Sequence, residues 1–190
     1  MSDITGMTFD MINQRCDATF RWNGEKHPIN ANFDDRSFYG KFSHKRMVNN
    51  AQLPASINLD SFLYPQFFCN DDGAKHLAYF ATNGKPAVSV KECDGYTSVY
   101  YGSKSLRYDV IREIARFAGV NIYSESDDVI YVGRNYITFH ASQTGKKTIK
   151  FSGKVNLYEV YEEKYYGKNT DAVEFEIKFG ETKMFRIERQ

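Results

Sequence analysis

Apolar positions near the middle of the chain recur at three- and four-residue intervals. The repeat runs from Leu106 to Ala118 and places its apolar side chains on one face of a helix. Ser105 suits the N-cap of this helix. Gly119 suits the position just beyond its end, where a left-handed backbone is cheapest for glycine. The pattern therefore predicts one amphipathic helix in the second half of the chain.

Strand signals dominate the rest of the chain. Beyond the helix, β-branched and aromatic runs alternate with polar residues and are separated by glycine-containing turns. The strands predicted there are 129–132, 136–141, 148–151, 155–160, 173–179 and 183–187. Before the helix, the patterns predict strands at 19–22, 87–91 and 97–101 and a short helix at 74–81.

The order of these elements predicts the α+β class with two parts. Residues 1–102 mix strands with the short helix and are predicted as an α/β layer. Residues 103–190 are predicted as a helix followed by a mainly antiparallel β domain. The polar segment 30–61 between the first strands is predicted as a surface loop.

Composition narrows the function classes. The 190 residues include 25 basic and 24 acidic side chains, and this balance argues against a nucleic-acid footprint or an anionic membrane surface as partner. No apolar run approaches the roughly 20 residues that a membrane-spanning helix needs. The first residues lack a basic region followed by an apolar run, so we expect no signal peptide and a cytoplasmic chain.

Residues that could carry chemistry are scattered. The three cysteines are widely spaced and form no CxxC pair, so free thiols are expected at Cys16, Cys69 and Cys93. The histidines form no HxxxH or HxH pattern, and no phosphate-binding glycine motif occurs, so neither a metal nor a cofactor is expected. A Cys69–His76 nucleophile is disfavoured because Cys69 precedes an Asn-Asp-Asp-Gly run instead of a small-residue elbow.

Three stretches carry a family resemblance: IARFAGVNIYS, DDVIYVGRNYITFHAS and GKKTIKF. They are similar to the far C-terminal part of large β-galactosidase-like glycoside hydrolases, and segment 64–106 looks like the exit of the preceding domain. In that family a catalytic (β/α) barrel comes first. A flavodoxin-like domain of glutamine-amidotransferase type, often used for oligomerisation, follows, and a small β domain closes the chain.

The resemblance implies a fold and a role. Residues 1–102 would be a partial amidotransferase-like, flavodoxin-like unit, and 103–190 would end in a small β-sandwich or barrel-like sheet. The role would be that of a non-catalytic accessory region, with an upstream catalytic barrel or a second copy as partner. A catalytic barrel needs about 250 residues, so none fits within these 190.

The aspartate doublets at 34–35, 71–72 and 127–128 are predicted to lie in turns and helix caps. The two side chains of a doublet point apart, so they cannot form the pair of carboxylates about 5 Å apart that a retaining glycosidase needs.

Exposed aromatic side chains are the remaining candidates for ligand contact. Sugars stack on tyrosine and tryptophan rings, so carbohydrate-contact candidates are Trp22, Tyr161, Tyr165 and Tyr166, the last three in a predicted charged loop. The favoured alternative is that these rings pack in strands or against a neighbouring domain. Two other functions stay open: a free-standing carbohydrate-binding module, and a protein-interaction domain whose segment 30–61 orders on a partner.

Overall fold

The computed structural model describes residues 2–40 and 62–189, and the chain divides into two compact units, Met1–Glu113 and Ile114–Gln190. Antiparallel strands make up most of the regular structure in the described ranges. The helices there are α1 (Ser2–Thr5) and α2 (Tyr108–Phe117). A β-rich fold is therefore confirmed.

The N-terminal unit holds eight of the described strands, paired in three small sheets. They are β1 (Phe9–Ile12), β2 (Cys16–Asp17), β3 (Phe20–Trp22), β4 (Phe62–Leu63), β5 (Gln66–Cys69), β6 (Lys75–Phe80), β7 (Pro86–Cys93) and β8 (Tyr96–Tyr101). The largest sheet has the order β3-β6-β7-β8, while β1 pairs with β5 and β2 with β4. The predicted hairpin is confirmed as β7 and β8, with Gly95 at φ 81° in its turn.

The helix predicted at 74–81 is wrong, because these residues form strand β6. Alanine, lysine and leucine favour helices, but only by tenths of a kcal/mol per residue. Strand β6 lies between β3 and β7 and hydrogen-bonds to both, so the two ladders outweigh that preference. Leu77 and Phe80 are both buried, which reinforces the strand.

The flavodoxin-like layer expected for 1–102 is not supported. Such a layer needs parallel strands joined by crossover helices. Every strand pairing among the described residues of this unit is antiparallel, and the one helix before residue 102 in that part has four residues. The amidotransferase-like identity implied by the resemblance therefore lacks structural support.

Helix α2 is confirmed close to its predicted bounds. It ends at Phe117, and Gly119 follows with φ 73°, the left-handed conformation expected of a residue that terminates a helix. Its predicted apolar face is unevenly covered, since Val110 is fully buried and Ile111 is exposed. The predicted loop 30–61 lies partly outside the described residues. Its described part consists of turns, with one bridge between Tyr39 and Phe20.

The C-terminal unit is built on one antiparallel sheet of five described strands. They are β9 (Val129–Val132), β10 (Tyr136–His140), β11 (Gly145–Glu159), β12 (Lys164–Ile177) and β13 (Thr182–Arg189). Their order in the sheet is β12-β11-β13-β10-β9. Strand β11 changes register between Lys150 and Val155, and both of its halves contribute to one core.

The core of this unit is formed by side chains on one face of the sheet. Its fully or largely buried members are Ile137, Phe139, Ala141, Ile149, Phe151, Val155, Leu157, Val173, Phe175, Ile177, Phe185 and Ile187. The predicted alternation in β12 is confirmed from Val173 to Ile177. It fails at Phe179, which is 70% exposed because the strand has already ended at Ile177.

Candidate functional site

A row of four side chains crosses the outward face of the C-terminal sheet. Strand pairing places Tyr136 of β10 opposite Arg186 of β13, Arg186 opposite Tyr158 of β11, and Tyr158 opposite Tyr165 of β12. Directly paired residues of antiparallel strands project to the same face, so these four form a continuous line, here called the tyrosine row. Tyr136, Tyr165 and Arg186 are exposed, and Tyr158 is half-buried.

The members of the tyrosine row contact one another. The Arg186 guanidinium lies 4.9 Å from the ring centre of Tyr158, a cation–π distance. The Tyr158 and Tyr165 rings meet edge to face, with centroids 5.1 Å apart. The ammonium of Lys168 lies 4.3 Å from the ring centre of Tyr165. The row is therefore ordered by ring–ring and cation–ring contacts.

A carboxylate completes the polar border of the row. Glu188 accepts a hydrogen bond from the Tyr165 hydroxyl at 3.2 Å and forms an ion pair with Arg186 at 2.6 Å. The Arg186 guanidinium holds the pKa of Glu188 below its usual range, and Glu188 raises the pKa of Arg186. Both groups therefore stay charged at neutral pH. Fixed donors and acceptors can bind the hydroxyls of a sugar, and the aromatic rings beside them can bind its apolar face.

Tyr161 lies at the end of the β11–β12 hairpin and is 70% exposed. Its hydroxyl is 4.0 Å from the sulfur of Met184, which belongs to β13. Glu163 in the same turn has φ 53°, a left-handed conformation. Of the predicted sugar contacts, Tyr161 and Tyr165 are thus the two that the structure leaves accessible.

Tyr166 points to the opposite face from Tyr165, because successive strand residues alternate. Its ring packs edge-on against Phe185 and Phe175, with centroids 5.4 Å and 6.1 Å away. Its hydroxyl donates a hydrogen bond to Glu162 at 2.7 Å and accepts one from Lys183 at 3.0 Å. The predicted charged loop is wrong for these two tyrosines, since both belong to strand β12.

The hairpin end is stabilised by carboxylates. Hydrogen bonds from Lys164, Lys183 and Tyr166 lower the pKa of Glu162 to about 2. Glu159 is 1% exposed, and its carboxylate accepts hydrogen bonds from the backbone N–H groups of Glu162 at 2.5 Å and Met184 at 3.0 Å. These contacts tie the turn to β13, so they set the position of Tyr161.

Trp22 lies in the N-terminal unit and is 3% exposed. Its ring stacks on Phe33 with centroids 5.0 Å apart and an interplanar angle of 8°, and Phe20 and Tyr39 meet it edge-on. Its faces are thus occupied by protein rings. Trp22 belongs to the N-terminal unit, whereas the four residues of the tyrosine row belong to the C-terminal unit.

A polar cleft of about 240 Å³ lies beside this aromatic cluster in the N-terminal unit. Asn30 shapes it by accepting a hydrogen bond from the His27 N–H at 2.7 Å and donating one to the Glu25 carbonyl at 2.9 Å. Its wall also carries Asp34, whose pKa is lowered by hydrogen bonds from the Ser37 hydroxyl and the Arg36 N–H. No cluster of three or more His, Cys, Asp or Glu within 2–40 and 62–189 could hold a metal ion.

The Cys69 and His76 side chains lie on two different strands, β5 and β6. The Cys69 sulfur is 3.8 Å from that of Met7, and burial raises the pKa of this thiol. His76 instead hydrogen-bonds to Ser89 at 2.9 Å. An activated cysteine needs a lowered pKa and a base beside it, so this pair lacks the features of a nucleophile.

Sequence reasoning missed Tyr136, Tyr158 and Arg186. Each sits at an unremarkable alternating position in a different strand, and only strand pairing brings them into line. The one available signal was the alternation within each strand, which shows that a side chain points outward. It does not show which residue of the neighbouring strand lies beside it. Separately, none of the helices in the described part of the chain has the length and apolar character needed to span a membrane.

The fold is similar to part of one solved β-galactosidase structure, and two others match at lower scores. A β-galactosidase from Bacillus circulans sp. alkalophilus matches 98% of this chain with a TM-score of 0.54 and 11% identity, and the match covers 25% of that chain. A catalytic mutant of a GH42 β-galactosidase from G. stearothermophilus matches 67% of this chain with a TM-score of 0.44 and 12% identity, covering 20% of that chain. The β-galactosidase from Rahnella sp. R3 matches 65% with a TM-score of 0.38 and 14% identity, covering 18%.

These similarities concern the fold. The chain spans about a quarter of the length of the Bacillus circulans enzyme. No protein-family model matches the sequence, and no curated protein matches it. The chain thus has a β-rich fold that also occurs within a much longer β-galactosidase.

Proposed function

We propose that this chain is a non-catalytic accessory region of a carbohydrate-active protein related to β-galactosidases. The observation that carries the proposal is the fold similarity to one quarter of a β-galactosidase chain, extending over 98% of the residues here. In the proposal the catalytic residues belong to another region or another chain, and this region supports assembly or borders the substrate cleft. The buried, raised-pKa Cys69 agrees with a structural role for that residue.

Hydrolysis by the purified chain is the direct test. We expect no turnover of nitrophenyl galactosides or other nitrophenyl glycosides above the rate of a heat-denatured sample. Turnover that persists through purification would contradict the proposal. A second measurement is the intact mass of the gene product in its native cell, where we expect a mass above 22.0 kDa or a glycosidase that copurifies with the chain.

A second candidate function is carbohydrate binding at the tyrosine row. It is favoured by the exposed ring of Tyr165 and by the charged pair of Glu188 and Arg186, whose carboxylate accepts a hydrogen bond from the Tyr165 hydroxyl. The exposed Tyr161 at the end of the same hairpin is a further ring that could contact a sugar. A sugar ring would stack on Tyr165 in place of the exposed Lys168 ammonium, and its hydroxyls would bind Glu188. Similarity to a β-galactosidase makes a galactose-containing oligosaccharide the first ligand to test.

Replacing Tyr165 by alanine is expected to weaken such binding by about tenfold, or about 1.4 kcal/mol, because the stacking face is lost. The control is Tyr64→Ala, which removes a tyrosine of the N-terminal unit that is 70% exposed, against 41% for Tyr165. Titration calorimetry with the oligosaccharide measures both. Equal affinities for the two variants would rule out the tyrosine row as the binding surface.

A further inference from the structure

The two edges of the C-terminal sheet differ in how they are protected. Strand β12 forms one edge and carries charged side chains along its length: Lys164, Lys168, Asp171, Glu174 and Glu176. Charges on an edge strand discourage pairing with another chain. Strand β9 forms the other edge, and its sequence, Val-Ile-Tyr-Val, contains no charge. Tyr131 on this edge is 71% exposed, and Val129 and Val132 are 46% and 41% exposed.

Among the strands in residues 2–40 and 62–189, β9 pairs with β10 alone, so one side of its backbone has no strand partner in that part of the chain. The Gly133 N–H donates to the Tyr136 carbonyl of β10 at 2.8 Å. Along a strand of an antiparallel pair, the backbone groups of successive residues point alternately toward and away from the partner strand. The backbone N–H and C=O groups of Tyr131 and Val129 therefore also face β10. The N–H and C=O groups of Ile130 and Val132 therefore point away from the sheet, where a further strand would lie.

We propose that β9 pairs with β9 of a second copy of this chain, antiparallel and centred on Tyr131. This register places Ile130 of one copy opposite Val132 of the other, and each such pair exchanges two hydrogen bonds. All outward groups of both strands are then used. The sheet faces also agree, because Ile130 and Val132 share the inner face and the two Tyr131 rings meet on the outer one.

Charge favours the same arrangement. The exposed Asp127 precedes β9, and the exposed Arg134 follows it. Arg189 lies at the Arg134 end, where its guanidinium donates to the Arg134 carbonyl. Antiparallel pairing brings the acidic end of each strand beside the basic end of its partner, whereas a parallel arrangement would juxtapose like charges. The occupant that best fits this edge is therefore the same strand.

The dimer is expected to be reversible. One four-residue strand buries less than the roughly 1,200 Å² of the smallest stable interfaces, so association depends on protein concentration. Pairing would also cover the edge without using the tyrosine row, which runs through β10, β13, β11 and β12. The inference does not depend on the proposed accessory function, and the two are tested by separate measurements.

Sedimentation equilibrium of the full chain, up to near-millimolar concentration, is the first test. We expect a monomer–dimer equilibrium, and a chain that stays monomeric throughout would overturn the proposal. Val132→Pro removes an outward N–H that β10 does not use, so it should abolish the dimer while circular dichroism stays that of the native protein. A dimer of unchanged affinity in a folded Val132→Pro variant would place the interface elsewhere and overturn the proposal.

Charge reversal tests the register without proline. Arg134→Glu or Asp127→Lys alone should weaken the dimer by about tenfold, because each creates two like-charge contacts. An equimolar mixture of these two variants should restore wild-type affinity, since both contacts become attractive again. The matched control is Lys168→Glu, an exposed cation of the opposite edge, which should leave the dimer unchanged. Failure of the mixture to recover affinity would overturn the antiparallel pairing.

Discussion

Replacing Asp128 by alanine is expected to destabilise the C-terminal unit by about 3–5 kcal/mol. The Asp128 carboxylate forms an ion pair with Lys147 at 2.8 Å, and the two side chains are 0% and 10% exposed. The carboxylate also accepts hydrogen bonds from the Ser142 N–H at 2.7 Å and hydroxyl at 3.0 Å. Alanine would leave the Lys147 ammonium buried without a counter-charge, which is the costly outcome for such a pair.

Native-state hydrogen exchange of the β13 amides would measure this loss, because it reports the opening of this unit alone. Asp127→Ala is the adjacent control and should change the opening free energy by less than about 0.5 kcal/mol, since its side chain is exposed. Adding Lys147→Met to Asp128→Ala should recover part of the loss, because no buried charge then remains. A loss below about 1 kcal/mol for Asp128→Ala would show that the pair is solvated.

The same carboxylate predicts acid sensitivity. Burial alone would raise the pKa of Asp128, but the Lys147 ammonium and hydrogen bonds from Ser126 and Ser142 outweigh it and lower the pKa. A lowered folded-state pKa contributes stability above the unfolded-state value of 3.8, and this stability is lost as the pH falls through the lower folded value. We expect the opening free energy of the wild-type unit to fall below about pH 4 and that of Asp128→Ala to change less. If the opening free energies of the wild-type protein and of Asp128→Ala fell equally with pH, this expectation would be contradicted.

Replacing Phe185 by alanine is expected to cost about 3–5 kcal/mol of the same opening free energy. Phe185 is fully buried on β13, and its ring lies 5.3 Å from Phe175 and 5.4 Å from Tyr166, centre to centre. Strand β13 lies between β10 and β11, so a cavity there removes contacts on both sides.

Phe179→Ala provides the matched control for this core substitution. It deletes the same side chain at a 70% exposed position beyond the end of β12 and should cost less than about 0.5 kcal/mol. Hydrogen exchange of β13 in both variants gives the comparison directly. Equal costs at the two positions would mean that the predicted core is not packed around Phe185.

The C-terminal half was the more predictable half, because its signals are local. Alternation from Val173 to Ile177 marks one buried face, and Gly119 ends helix α2 as expected. The strand at 164–172 was not predicted, because apolar and polar residues do not alternate in Lys-Tyr-Tyr-Gly-Lys-Asn. This segment is a strand because β11 pairs with it across the hairpin, beyond a register shift that no alternation within the segment reveals.

The N-terminal half was harder for the same physical reason. Segment 75–80 has the composition of a helix, and its strand conformation comes from neighbours on both sides. The flavodoxin-like layer inferred by resemblance presupposed a parallel sheet, which no local pattern had indicated. The family resemblance thus agrees with the fold similarity to one β-galactosidase structure but misassigned the architecture of this half.

By itself, the sequence determined which residues prefer strands, where helix α2 stops and which side chains alternate between buried and exposed faces. These properties depend on backbone sterics and on hydrophobic spacing within a few residues. The tertiary structure alone decided that the four residues Tyr136, Arg186, Tyr158 and Tyr165 form one row. It also decided that Asp128 forms an ion pair with Lys147, and that the uncharged strand β9 lies at an edge of the sheet. Each of these depends on strand order and register, which the pattern within a single strand does not specify.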